Sequence, residues 1–130
     1  MKLEELRHYI VAEKLLKKWS WDSGTTWSWN SDGSVDVQGN IRIEERSIKK
    51  IPFKFNKVSG SFYCSRNYLT TLENCPEEVG YWFGCSDNAL ETLEHSPKTV
   101  KDSYYCDSNP VKFNEEDVKK VCKVGRVINT

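Results

Sequence analysis

Two carboxylates and three large aromatic side chains are the groups of this 130-residue chain that could together form a reactive or ligand-binding site. Asp87 and Asp107 lie in a region that also contains Tyr63, Trp82 and Tyr105. Polysaccharide-cleaving sites place two carboxylates near aromatic rings, and a retaining glycosidase holds its carboxyl groups roughly 5–5.5 Å apart. A carbohydrate-binding or carbohydrate-cleaving surface is therefore one hypothesis for this region.

A repeat of 21 residues determines where these side chains fall. Val58, Val79 and Val100 are separated by this interval, as are the cysteines at positions 64, 85 and 106 and the asparagines at positions 67, 88 and 109. A degenerate earlier copy begins at Val37. Periods of about 20–29 residues mark solenoids, in which each unit is too small to bury its own apolar face and must stack on its neighbours. We predict an α+β fold built on a small parallel-stranded solenoid, with about four repeats over residues 37–111.

Three of the five cysteines, Cys64, Cys85 and Cys106, occupy the same position of the repeat. In a parallel ladder, equivalent side chains lie about 4.8 Å apart and point the same way, whereas a disulfide needs Cβ atoms about 3.8 Å apart and turned toward each other. A straight column of thiols also cannot converge on a tetrahedral zinc ion. We predict five reduced thiols, of which these three are buried, and no metal site.

The segments on either side of the repeats predict caps within a single domain of residues 1–130. Residues 3–19 are predicted to form a helix with an apolar stripe made of Leu3, Leu6, Ile10, Leu16 and Trp19, with Tyr9 and Ala12. The tryptophans at positions 27 and 29 precede a glycine-containing turn that predicts a β-hairpin. Residues 1–36 are thus predicted to form an N-terminal cap. Asn114 begins a second predicted helix that ends at Gly125, within a C-terminal cap of residues 112–130.

The inward positions of the repeat are predicted to be Phe62, Cys64, Asn67, Leu69 and Leu72, with their equivalents in the later copies. An asparagine among apolar neighbours has donors and an acceptor that can satisfy backbone groups freed at a tight bend. We therefore interpret the asparagines of this column as structural.

The pattern Phe62-x-Cys64-x-x-Asn67-x-Leu69-x-x-Leu72 resembles the core motif of leucine-rich repeats. The variant with an aromatic residue and then a cysteine, and with Leu-Glu before a proline-containing turn, is similar to short repeat proteins of tailed bacteriophages and some bacteria. The resemblance covers roughly residues 37–111. It implies a solenoid whose outward strand residues contact a partner, and it suggests a phage-encoded inhibitor of a host defence or regulatory protein.

The outward positions of the predicted strands carry large aromatic and charged side chains that the repeat does not require. Exposed tyrosine, tryptophan and arginine residues dominate the energetics of protein interfaces. We therefore predict a non-catalytic protein–protein interaction module that binds a host or cognate protein. The predicted partner-binding residues are Arg42, Tyr63, Arg66, Trp82, Asp87, Tyr105 and Asp107.

Catalysis is disfavoured by the rest of the sequence. The two histidines, His8 and His95, fall in a predicted helix and a predicted turn and form no Ser-His-Asp or Cys-His arrangement. There is no glycine-rich phosphate-binding motif, and four short repeats predict a shallow surface rather than a deep cleft. We predict no catalytic residues and no cofactor.

Nucleic-acid binding is a further alternative, based on Lys49, Lys50, Lys54 and Lys57 beside two phenylalanines. Lysine and arginine together (19) balance aspartate and glutamate (19), and this neutrality disfavours a nucleic-acid partner.

No apolar run is long enough to span a bilayer, and the acidic start of the chain does not match a signal peptide. We predict a cytoplasmic protein, in the host cytosol if phage-encoded, without a membrane partner. An open solenoid edge would also allow self-association.

Overall fold

The computed structural model describes residues 2–130 as an α+β protein with an N-terminal helix, a hairpin and a coiled stack of short strands. Helix α1 spans Leu3–Trp19, and the hairpin strands β1 and β2 span Thr26–Trp29 and Val35–Gln38. The remaining elements are β3 (Ile41–Arg42), β4 (Phe55–Val58), β5 (Phe62–Tyr63), β6 (Glu78–Val79), β7 (Phe83–Gly84), β8 (Thr99–Val100), β9 (Tyr104–Tyr105), α2 (Glu115–Lys119), β10 (Lys123–Val124) and β11 (Ile128–Asn129).

The strands form two sheets, and each turn of the solenoid contributes one strand to both. The six-stranded sheet has the order β1-β2-β4-β6-β8-β10, and the five-stranded sheet has the order β11-β9-β7-β5-β3. Strands β1 and β2 pair antiparallel, and the successive turns pair in parallel. The predicted parallel-stranded solenoid is therefore confirmed. Leucine-rich repeats carry a strand and a helical segment in each unit, whereas these units carry two strands, so the finer assignment stays a prediction.

The core is a set of columns in which equivalent side chains of successive turns stack on each other. The ring centroids of Phe62 and Phe83 lie 6.2 Å apart with planes only 8° from parallel, and Tyr104 continues the column 5.0 Å from Phe83. Cys64 and Cys85 are fully buried in the neighbouring column. All five cysteines are unbridged and the three of the repeat column are buried, as predicted; Cys75 and Cys122 are buried as well.

The asparagine column is structural, as predicted. The side-chain oxygen of Asn88 accepts hydrogen bonds from the backbone N–H groups of Asn67 (3.2 Å) and Leu69 (3.1 Å). Its amide nitrogen donates to the carbonyl oxygens of Cys64, Cys85 and Ser86. One side chain therefore satisfies five backbone groups at a bend where the chain leaves the sheet.

Helix α1 has the predicted bounds but covers the solenoid with only its second half. Its buried residues are Ala12, Leu16 and Trp19. The predicted apolar stripe also included Leu3, Leu6 and Ile10, which are exposed; this part of the prediction is wrong. These three residues lie almost opposite the buried side at about 100° per residue, so the helix cannot turn both stripes toward the core.

The hairpin is confirmed and is attached to α1 by one carboxylate. The indole N–H groups of Trp27 and Trp29 both donate to Glu13, at 2.7 Å each. Trp19 stacks on Phe53 with a centroid distance of 5.8 Å. Helix and hairpin together thus close the first turn of the solenoid.

The solenoid extends beyond the four predicted repeats. Asn114 caps α2 as predicted, with a reciprocal hydrogen bond to Asp117. The helix ends at Lys119, not near Gly125 as predicted, and the chain then forms β10 and β11, which pair in parallel with β8 and β9. The segment predicted as a C-terminal cap therefore contains a short helix and a further turn of the coil.

Within residues 2–130, no helix has the length and apolar character that a membrane crossing requires.

Candidate functional site

The outward side of the five-stranded sheet, together with the turns that follow its strands, carries the predicted site and is called the strand face below. The register places Arg42, Tyr63, Gly84 and Tyr105 in one row across β3, β5, β7 and β9. In this row the strands are about 4.8 Å apart. The sequence repeat alone thus determines which outward side chains become neighbours.

Six of the seven predicted residues line one open cleft with a volume of about 530 Å³. They are Tyr63, Arg66, Trp82, Asp87, Tyr105 and Asp107. The seventh, Arg42, lines an adjoining cleft of about 260 Å³ that shares Tyr63 and Arg66 with the first. The structure therefore brings all seven residues onto one continuous surface.

A strip of aromatic rings runs along the strand face. Tyr63 makes an edge contact with Trp21 at 5.5 Å and a tilted contact with Trp82 at 6.4 Å. Tyr81 stacks on Trp82 with a centroid distance of 4.6 Å. The indole N–H of Trp82 also donates to Asp102 at 3.2 Å. These contacts fix the positions of the rings, of which Trp21 and Tyr81 are exposed and Tyr63 and Trp82 are half-buried.

Trp21 and Tyr81 belong to this surface, and the sequence reasoning missed both. Trp21 follows α1, and its backbone N–H donates to the carbonyl of Asn40 (3.1 Å), which places the indole beside β3. In the sequence, Trp21 was recognisable only as a tryptophan in a predicted turn. Tyr81 immediately precedes the outward Trp82, so an exposed aromatic pair at residues 81 and 82 was the available signal.

Gly84 provides the space in which Tyr63 lies. A Cβ atom at position 84 would be 2.7 Å from Cδ1 of Tyr63. The ring of Tyr63 therefore lies over β7 rather than standing upright on β5. Burial and the neighbouring Tyr105 raise the pKa of the Tyr63 hydroxyl, which keeps it neutral at physiological pH.

Three arginines surround Glu44 at the N-terminal end of the strand face. The Glu44 carboxylate lies 2.9 Å from Arg42, 3.5 Å from Arg46 and 3.4 Å from Arg66. Desolvation of Glu44 would raise its pKa, but the three guanidinium groups outweigh it and lower the pKa. With one carboxylate against three cations, this end has an excess of two positive charges. Arg42 also lies 5.7 Å from the centroid of Trp21.

The C-terminal end of the strand face is acidic. Asp107 accepts hydrogen bonds from the hydroxyl groups of Ser86 and Ser108. Within the part of the chain that the structure describes, Asp87 and Asp107 form no ion pair. The strand face therefore has its arginines in the turns of β3 and β5 and its free carboxylates in the turns of β7 and β9, with the aromatic rings running alongside both groups.

Arg66 and Asp87 occupy equivalent turn positions with left-handed backbone conformations, at φ values of 59° and 55°. Ser108 occupies the same position in the next turn, with φ of 59°, and Arg46, which corresponds to Asn67 in the first turn, has the same φ value. This conformation is uncommon for residues other than glycine and asparagine. It recurs because each of these residues lies beside the asparagine column, whose hydrogen bonds hold the bend.

The lysine segment considered for nucleic-acid binding is part of the solenoid wall. Lys50, Lys54 and Lys57 pair with Glu73, Glu77 and Glu78 of the next turn at 3.3, 3.0 and 3.6 Å. Ile51, Phe53 and Phe55 between them are buried. These pairs match three of the four lysines of the segment with carboxylates, which lowers the positive potential that a phosphate backbone would contact.

Within residues 2–130, no group of three or more His, Cys, Asp or Glu side chains is placed to hold a metal ion.

Comparisons of the chain with protein-family models, curated proteins and solved structures gave no significant match. The resemblance to leucine-rich-repeat proteins of phages therefore stays a prediction, and the functional argument depends on the strand face itself.

Proposed function

We propose that the chain is a non-catalytic interaction module that binds a protein partner through the strand face. The observation that carries this proposal is the continuous strip of Trp21, Tyr63, Trp82 and Tyr81 with charged groups at both ends. Large aromatic and arginine side chains at the centre of an interface supply most of its binding energy.

The rigidity of the strand face supports the proposal. Binding loses free energy when flexible side chains must be ordered. Here the rings already contact each other, and their backbone is held by the parallel ladders of neighbouring turns. A partner would therefore meet a surface that needs little reorganisation.

The identity of the partner follows only from the predicted resemblance, which suggests a bacterial host protein and a cytoplasmic site of action. Bacterial lysate is accordingly the first source of candidate partners. A host protein whose activity falls on binding would extend the proposal from an interaction module to an inhibitor.

The test compares capture by the wild-type protein and by a triple variant, Tyr63→Ala/Trp82→Ala/Tyr105→Ala. The matched control changes three residues that line a depression on the other sheet, Lys57, Glu78 and Lys101, to alanine. A protein captured by the wild type and by the control but not by the triple variant is then purified for affinity measurement. We expect Trp82→Ala to weaken its binding by at least ~2 kcal/mol, the usual scale of a hot spot. Equal capture by all three forms would refute the strand-face proposal.

Carbohydrate binding is a second candidate, favoured by the open cleft in which Tyr63, Trp82 and Tyr105 lie near Asp87 and Asp107. Aromatic faces and carboxylate acceptors are groups that can contact a sugar. A neutral glycan would bind with little dependence on salt, whereas a charged protein partner would lose affinity as salt screens its ion pairs. A glycan array probed with the wild type and the triple variant separates the two candidates.

A further inference from the structure

We propose that the strand face binds an extended peptide segment in one orientation, with an acidic residue at the arginine end, an apolar residue over the aromatic strip and a basic residue at the carboxylate end. This inference depends on the proposed protein-binding function and specifies the partner. It rests on the separation of charge along the face and on the spacing of its strands.

The charges at the two ends are opposite and only partly compensated. Glu44 neutralises one of the three arginines at 42, 46 and 66, which leaves two positive charges. Asp87 and Asp107 contribute two negative charges to the cleft, one and two turns beyond Arg66 along the stack. A peptide bound in the reverse orientation would place like charges together, and such juxtaposition costs several kcal/mol in an interface.

The spacing of the strands sets the length of the segment. The arginines belong to the turns of β3 and β5, and the two aspartates belong to the turns of β7 and β9. Asp87 and Asp107 lie two and three strand spacings from the turn of β3, which carries two of the three arginines, and this distance is roughly 10–14 Å. An extended chain rises about 3.3 Å per residue, so the acidic and basic residues should be three or four positions apart.

The same charge distribution disfavours other occupants of the face. A nucleic-acid backbone would meet the arginines but would then be repelled by the carboxylates, because it carries negative charge along its whole length. A neutral glycan would use the aromatic rings but neither charged end. A peptide is the polymer that can present an acid, an apolar group and a base in a fixed order.

The equivalent positions of Arg66 and Asp87 allow a matched charge exchange. In the variant Arg66→Asp/Asp87→Arg each residue moves to the same turn position one coil away, where the φ value is 55° or 59°. The exchange preserves the net charge, and it keeps one arginine and one aspartate in the same left-handed conformation. It removes the excess charge from both ends of the strand face. Thermal unfolding should match that of the wild type; if it does not, Arg66→Asn/Asp87→Asn replaces it, since asparagine tolerates the left-handed conformation.

The experiment selects binders from a library of random linear octapeptides with the wild type, the charge-exchange variant and the triple alanine variant. We expect wild-type binders to carry an acid and a base three or four positions apart, in one order, with an apolar residue between them. The exchange variant should bind a synthetic peptide of this pattern at least tenfold more weakly, and the triple variant should enrich none.

Four outcomes would overturn the inference or its premise. Enriched peptides without a charge order, or unchanged affinity of the exchange variant, would overturn the inference while the binding face stands. If a folded protein is captured by the wild type but not by the triple variant, and no peptide is enriched, the peptide inference is likewise overturned while the binding face stands. If neither peptides nor proteins depend on the aromatic residues, the proposed function itself fails.

Discussion

The thiols show how burial controls the chemistry of a single residue type. Burial raises the pKa of Cys106 to about 11 and that of Cys122 to about 12, because a thiolate would be poorly solvated there. Contact with Cys75 and burial raise the pKa of Cys64, and burial also raises that of Cys85. At neutral pH these groups are protonated and act as small apolar side chains.

Stability should therefore fall at alkaline pH. An unfolded thiol ionises near pH 8.5, whereas folded Cys106 keeps its proton until about pH 11. Between these values the unfolded state binds fewer protons, so each such thiol lowers the free energy of unfolding by about 1.4 kcal/mol per pH unit. Urea unfolding from pH 8 to 11 measures the slope. Cys106→Ala should have a shallower slope than the wild type, and identical slopes would contradict this account.

Asn88 shows how one polar residue can be indispensable in an apolar column. Asn88→Ala would leave two backbone N–H groups without their acceptor and would remove one of two donors from each of three carbonyl groups. Each unsatisfied buried group costs about 1–3 kcal/mol, and partial access of water offsets part of this. We expect a loss of about 3 kcal/mol in the free energy of unfolding, measured by urea denaturation.

The control is Asn56→Ala, which removes a partly exposed amide that donates to Asp36. We expect this change to cost no more than about 1 kcal/mol. Similar losses for Asn88→Ala and Asn56→Ala would show that the asparagine column does not hold the bends.

At the scale of elements, α1 has one apolar side in the core and another in solvent. Leu16 is 0% exposed, whereas Leu6 is 46% exposed. Both belong to the same helix, and both are part of an apolar pattern with helical spacing. Only packing against the solenoid distinguishes them.

Alanine substitutions should separate the two sides of α1. Leu16→Ala removes fully buried methyl groups and leaves a cavity, so it should lower the free energy of unfolding by about 2–5 kcal/mol. Leu6→Ala should change it by no more than about 0.5 kcal/mol. Chemical denaturation of both variants tests this, and a large effect of Leu6→Ala would mean that its side chain is covered in solution.

At the scale of the whole molecule, stability should depend on position along the stack. Inner turns have neighbours on both sides, whereas the last turn pairs only with the one before it. In such one-dimensional arrays, local stability is approximately the sum of each unit and its contacts with adjacent units. The covered N-terminal end and the uncovered β10 and β11 should therefore differ.

Hydrogen exchange should reveal this gradient. The amides of Phe62 and Phe83 donate within the stack to the carbonyls of Trp82 and Ser103, and we expect them to exchange at least ~100-fold more slowly than the amide of Asn129. Amide exchange followed by NMR measures these rates. Equal protection of the last turn would indicate that the stack unfolds as one unit or that a second copy covers its end.

Much of this fold could be predicted from the sequence because the same pattern of inward residues recurs in several repeats. The columns of Phe62, Cys64 and Asn67 follow from one spacing. The last turn was missed because its strands pair at a longer interval, with Val124 opposite Val100 and Ile128 opposite Tyr104. That turn also lacks the cysteine and asparagine that mark the others. Parallel strands can still pair when the segment between them is longer, but a search for a 21-residue period does not detect such a turn.

The candidate site was predicted to a similar extent. Arg42, Tyr63 and Tyr105 were predictable as neighbours because parallel stacking converts equal sequence intervals into adjacency. Trp21 was not, since its place depends on how the chain returns from α1 to pair with β3. The cluster around Glu44 also needs side-chain geometry that no spacing contains.

The sequence by itself determined the coil, its inward columns and the composition of its outward row, because each repeat must bury the same face against the next. Tertiary packing is what sets which stripe of α1 is buried, brings Trp21 to the strand face, and gathers three arginines around Glu44. Those features depend on contacts that the 21-residue interval does not specify. They form only when the chain has folded as a whole.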